Sequence, residues 1–190
     1  MQSENGIREG IPSADRIPGD SEEARCAPIR AAIFDMDNTL FDFVSAQIAA
    51  CTSVVEYLGR GEGTHLFEYF RREGKGFEDP ENILEYMIDI GLEIDGKYAH
   101  CCSIYEGVKL AGISPYPGMQ ETVSHLRGRG FSLSVVTDAL EKNALRRLER
   151  AGLNTHFDCV ITPDLTGKRK PEPDPFLLAL KRMGVTAEET

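Results

Sequence analysis

Ala31-Ala32-Ile33-Phe34-Asp35-Met36-Asp37-Asn38-Thr39 is the stretch from which the rest of the chain is read. Four consecutive apolar residues between Arg30 and Asp35 suit a short strand buried on both faces of a parallel sheet. The apolar run stops abruptly at Asp35. Two carboxylates two positions apart, directly after a buried strand, raise each other's pKa unless a cation or a hydrogen-bond network offsets their repulsion. A bound Mg²⁺, which takes hard oxygen ligands and keeps several waters, would remove that cost. An acidic loop turning into water would give the same pattern.

Downstream, Val44, Ile48, Cys51, Val55 and Leu58 recur at helical spacing, with Gly59 as a stop. Leu66, Phe67 and Phe70 mark a second helix. Asp79-Pro80-Glu81 supplies an N-cap and a Pro at the first helical position for Ile83, Leu84, Met87, Ile88 and Ile90. Residues 97–110 read as a further helix closed by Gly112. The stretch 44–114 therefore holds helical patterns and no strand, as a helical insertion would. After the turn-rich Pro115-Tyr116-Pro117-Gly118, Met119, Val123 and Leu126 mark a helix, and residues 131–136 have the β-branched and aromatic composition of a strand ending in Thr137-Asp138. Ala144, Leu145, Leu148 and Ala151 form the next helical face, stopped by Gly152. A strand is expected over 157–161 and a last helix over 174–183.

Strands separated by helices imply parallel pairing through right-handed crossovers, hence an α/β layered core. Ligands in such sheets bind beyond the carboxyl ends of the strands, where Asp35, Thr137 and Asp138 fall. Thr137 offers a hydroxyl and neighbouring backbone N–H groups there, or else a plain helix cap. In Lys168-Arg169-Lys170-Pro171-Glu172-Pro173-Asp174-Pro175-Phe176, prolines stiffen the backbone after a basic cluster. Lys170 aimed at the crevice would give a phosphate its counter-charge. A solvated charge run is the alternative.

Taken in order, the segments Phe34-Asp35-Met36-Asp37-Asn38-Thr39-Leu40, Val135-Val136-Thr137-Asp138 and Lys170-Pro171-Glu172-Pro173 resemble the first three motifs of the haloacid dehalogenase-like (HAD) hydrolase superfamily, from about Ile29 onward. The insertion resembles the α-helical cap of the branch containing phosphoglycolate phosphatases, β-phosphoglucomutase and the dehalogenases. The resemblance implies a Rossmann-like, three-layer parallel-sheet core at 29–43 and 115–190, with the cap at 44–114. It implies Asp35 as nucleophile forming an aspartyl-phosphate, Asp37 as general acid and then base, Thr137 and the backbone near Asp138 as phosphate holders, and Lys170 steadying nucleophile and phosphate. Mg²⁺ would be the cofactor, bound by a side-chain oxygen of Asp35 and the backbone carbonyl of Asp37. Dehalogenases of the superfamily lack an aspartate at the position of Asp37, so phosphate chemistry on a small phosphomonoester is the leading expectation. A non-catalytic module binding phosphorylated ligands or a protein, and a phosphomutase or dehalogenase on the same fold, are the alternatives. The family's fourth, acidic motif has no counterpart before Thr190. The expectation is thus a C-terminally incomplete core, a fragment or truncated form, with the first strand left at a sheet edge.

Composition narrows the field further. With 190 residues, 41% hydrophobic and 27% charged, the chain has the make-up of a folded globular protein. A net charge of -10 repels polyanions, which argues against nucleic acid as a partner. No apolar run approaches the ~20 residues of a spanning helix, and the first ten residues lack a signal-peptide core, so no membrane is expected and the cytoplasm is the expected compartment. Cys26, Cys51, Cys101, Cys102 and Cys159 show no metal or redox spacing and read as reduced thiols. Residues 1–28, rich in Gly, Pro, Ser and mixed charge, are expected to form a flexible extension.

Overall fold

β-Branched and small apolar residues at two segments a hundred positions apart pair to begin the sheet. In the computed structural model, which describes residues 27–72, 76–94 and 96–190, β1 (Ala31–Phe34) runs parallel to β2 (Ser132–Val136) with Ala31 opposite Ser132 and Phe34 opposite Val135. The other edge of β2 pairs in parallel with β3 (Cys159–Ile161), giving the order β1-β2-β3 with β1 at one edge among the described residues. Nearly all of the expected N-terminal extension lies outside the described residues.

Between β1 and β2 lie α1 (Phe43–Leu58), α2 (Gly63–Phe70), α3 (Glu81–Asp89), α4 (Lys97–Ala111) and α5 (Met119–Gly128). α6 (Glu141–Arg150) precedes β3, and α7 (Pro163–Thr166), α8 (Asp174–Met183) and a 3-10 turn (Ala187–Glu189) follow it. Alternation along β2 sorts the layers, because successive side chains point to opposite faces. Leu133 and Val135 join Met36, Phe41, Val123, Ala144 and Leu148 on one face, whereas Val136 packs with Ile161 and with Ala179 of α8 on the other. A second apolar cluster holds α1 to α4, and α1 belongs to both: Phe43 and Ala46 enter the sheet-side core, Ala50, Cys51, Val54 and Val55 the helical one. Gly59, at φ 66 and donating its N–H to Val55 O and Glu56 O, ends that helix as its sequence suggests.

Two expectations need correction, and one further helix had no sequence signal. Pro80 is the N-cap of α3 rather than its first residue, although the Asp79 carboxylate still accepts the Glu81 N–H at 2.9 Å. On α6, Leu145 is 47% exposed; the buried stripe is Ala144, Arg147, Leu148 and Ala151, spaced i, i+3, i+4, i+7, with an arginine inside it. α7, started by Pro163 at its first turn, was not anticipated. The 3-10 turn is tied back to the start of β1: Arg30 N–H donates to Glu189 O at 2.8 Å, and its guanidinium donates to the Glu189 carboxylate at 2.7 and 3.0 Å. That guanidinium, together with the Thr186 N–H donating to the same carboxylate at 2.8 Å, holds the Glu189 carboxyl down at about 2.

Candidate active site

The β1–α1 connection is shaped by its own polar side chains. Asn38 sits at φ 60, a left-handed conformation that asparagine tolerates, and its Oδ1 accepts the N–H groups of Phe43 at 3.0 Å and Val44 at 3.1 Å. Asp42 caps α1 by accepting the Ser45 N–H at 2.9 Å. Met36 and Leu40 are fully buried between these polar positions and lock the loop to the core. Asp35 and Asp37, on either side of Met36, thereby reach the space beyond the carboxyl end of β1.

Asp35 is held on two sides. Thr39 Oγ1 donates to Asp35 Oδ2 at 2.9 Å, and the Lys170 ammonium pairs with Oδ1. Lys170 is placed in turn by Asp138, whose Oδ1 accepts the Lys170 backbone N–H at 3.0 Å while its carbonyl accepts from the Arg169 guanidinium at 2.7 Å. The Lys170–Pro171 peptide is cis. Thr137 is buried; its N–H extends the ladder to Ile161 O at 3.0 Å and its hydroxyl oxygen accepts the Ala139 N–H at 3.2 Å. All five residues singled out from sequence, Asp35, Asp37, Thr137, Asp138 and Lys170, line one cavity of about 830 Å³. Its opposite wall comes from the helical region, including Phe77, Glu78, Asp79, Cys102, Tyr105 and Glu106.

Asp37 has a partner that sequence reasoning missed. Arg147, 3% exposed, donates from Nη1 to both Asp37 oxygens at 3.0 and 2.8 Å, and its guanidinium lies 3.9 Å from the centre of the Phe43 ring. Arg147 also makes a charge contact with Glu78, without the alignment of a hydrogen bond. Glu78 further pairs with Lys109 at 3.4 Å, and Lys109 with Glu106 at 2.5 Å. Burial pushes the Asp37 carboxyl above the usual carboxylate range, with Arg147 pulling the other way, and burial pulls the Lys109 ammonium down. The signal for Arg147 was its place on the apolar stripe of α6. Glu78 and Lys109 carry no comparable mark.

Asp35 and Asp37 both line the cavity and carry hard oxygen donors of the type Mg²⁺ takes, an ion often held by one or two carboxylates plus substrate phosphate. Among the described residues no group of three His, Cys, Asp or Glu side chains forms a metal site. The donor set thus fits an ion that shares its shell with water and phosphate.

Residues 32–190 match the family described as haloacid dehalogenase-like hydrolase. The chain belongs to this family. As a HAD-like hydrolase it is 33% identical over 171 residues to a glyceraldehyde 3-phosphate phosphatase of Methanocaldococcus jannaschii, covering 85% of this chain and 74% of that one. It is 30% identical to a phosphoglycolate phosphatase of Nitrosospira multiformis, covering 83% and 71%. Two solved structures share the HAD-like fold: the L-2-haloacid dehalogenase of Xanthobacter autotrophicus (TM-score 0.64, 24% identity, 85% and 67% coverage) and a HAD family hydrolase of Deinococcus radiodurans with bound phosphate and sodium (TM-score 0.62, 23% identity, 84% and 69% coverage). Among the described residues no helix is long and apolar enough to cross a membrane.

Proposed function

We propose that this HAD-like hydrolase is a phosphatase of small phosphomonoesters, working through a phosphorylated Asp35. The observation that carries the reading is the pairing of Asp35 with Lys170 and Thr39 in a cavity that Asp37 also lines. An Asp35 carboxylate oxygen attacks phosphorus as the ester P–O bond breaks, and Asp37 gives its proton to the departing alkoxide. Asp37, now a carboxylate, takes a proton from water as that water attacks phosphorus. The bond to Asp35 breaks and inorganic phosphate leaves. Lys170 neutralises charge on nucleophile and phosphoryl group, and the Thr39 hydroxyl fixes the second Asp35 oxygen so that the attacking one has a defined direction. The Thr137 hydroxyl and the backbone beside Asp138 receive the phosphoryl oxygens.

Asp35 and the Asp37 backbone carbonyl would hold Mg²⁺, which when bound supplies charge neutralisation between the carboxylate and the phosphate. Residues 44–114 act as a cap over the core of 29–43 and 115–190, and the substrate's non-phosphate part meets that cap. Free cysteines, two of them buried, accord with a reducing cytoplasm. The test is phosphate release from a panel of small phosphomonoesters with and without Mg²⁺. Asp35→Asn is expected to abolish turnover, and a variant that keeps hydrolysing would overturn the reading.

A further inference from the structure

Arg147 spends its buried charge on the one carboxylate in the cavity whose position matters to the departing alcohol. From this geometry we infer that Arg147 is the positioning residue for Asp37, fixing its carboxyl for transfer of a proton to the leaving group. The inference rests on the phosphatase reading and deepens it. A lone buried guanidinium on the apolar stripe of α6 is costly unless paired. Here it has two hydrogen bonds to one carboxylate and a ring beneath it, so its plane is set by Phe43 and its direction by Asp37. A carboxylate has about four lone-pair sites, and two contacts from Nη1 leave the outer ones open towards the cavity. Met36 and Asn38 anchor the backbone on either side of Asp37, but the Asp37 side chain has no hydrogen-bond partner other than Arg147 among the described residues.

The same guanidinium meets Glu78 in the segment before α3, and Glu78 meets Lys109 of α4. Arg147 therefore takes its placement from both sides of the cavity, and the segment carrying Phe77 to Pro80, which lines the wall facing Asp35, is registered against Asp37 through one side chain. Lysine could not replace it fully, because a point charge has no planar fork to fix both partners.

The experiment compares kcat/KM on p-nitrophenyl phosphate, whose phenolate leaves without a proton, with kcat/KM on a glycerol phosphate, whose alkoxide needs one. This parameter reports only the steps up to transfer onto Asp35. Arg147→Met is expected to lose about 10²-fold on the alkyl ester and at least tenfold less on the aryl ester, in line with the ~10²–10⁴ that positioned acids contribute. Because Asp37 also activates water in the second step, Arg147→Met should accumulate phosphoenzyme and show a burst of nitrophenolate. Arg147→Lys keeps the buried charge, safeguards folding, and should give the same pattern at reduced size. Equal losses on both esters without a burst, or a lysine variant with the wild-type ratio, would overturn the inference. Absence of turnover in the unaltered protein would instead sink the phosphatase reading itself.

Discussion

Gln47 offers the sharpest stability test, because it joins the helical region to the segment that lines the cavity. Both Gln47 and Tyr105 are buried; Gln47 Nε2 donates to Tyr105 Oη at 2.8 Å and to Phe77 O at 3.0 Å. Gln47→Leu removes two neutral hydrogen bonds, each worth about 1 kcal/mol net, and leaves the buried Tyr105 hydroxyl behind at roughly 1–3 kcal/mol more. Against this, Gln47 Oε1 is itself buried without a hydrogen-bond partner, and losing it returns part of the cost. The expected destabilisation is about 2–4 kcal/mol. Tyr105→Phe keeps the ring stacked on Phe70 at 4.7 Å and 6° and gives up only the hydroxyl, for about 1–2 kcal/mol. In the double variant the hydroxyl that Gln47→Leu strands is removed as well, so its cost should fall short of the sum by about 1 kcal/mol. Urea unfolding followed by circular dichroism yields all three values from the midpoints. Additivity within about 0.3 kcal/mol would mean that the two residues do not interact and would refute the reasoning. A raised KM in Gln47→Leu is the functional counterpart, since Phe77 loses an anchor.

Lys170→Met should lower kcat by about 10²–10³-fold, the usual loss when one charge-stabilising group is removed from a reacting centre, while leaving the thermal midpoint nearly unchanged; steady-state kinetics and calorimetry check both halves. The Glu189 carboxyl, at about 2 against an ordinary 4.5, contributes stability that is full above 4.5 and is lost as the pH falls towards 2. Carbon-13 titration of that carboxyl should give a midpoint well under 4.5, and Arg30→Ala should raise it only part of the way back, because the Thr186 N–H still donates to Oε2 at 2.8 Å. Burial pushes the Cys51 thiol to about 12 and the Cys101 thiol to about 11, so at pH 8 neither should react with a disulfide reagent until the protein unfolds. Rapid native-state labelling of either, located by mass spectrometry, would contradict their burial.

What could be read from the chain, and what could not, divides along physical lines. β1, β2 and most helices follow from local periodicity, and Asp35, Asp37, Thr137, Asp138 and Lys170 stand at strand ends or in a proline-stiffened loop, where backbone geometry alone aims them at one crevice. Arg147 hides in Arg146-Arg147, which looks like a solvated basic pair. Only the stripe of Ala144, Leu148 and Ala151 distinguishes the buried arginine from its exposed neighbour, and Leu145 competes for the same face. Glu78 and Lys109 belong to segments whose mutual approach depends on how α1 and α4 pack, information that no spacing within either segment contains. The 3-10 turn at 187–189 was illegible for a related reason: its partner, Arg30, lies 159 positions away.

The Arg147–Asp37 pair spans 110 residues of sequence and the Lys170–Asp35 pair 135. Such distant closures lose much chain entropy before any contact rewards them, whereas helices α1 to α4 meet partners closer in sequence, the Gln47–Tyr105 bond spanning 58 residues. Refolding from denaturant should therefore restore helical ellipticity ahead of turnover, and catalytic competence would serve as a clock for the last long-range docking of the chain.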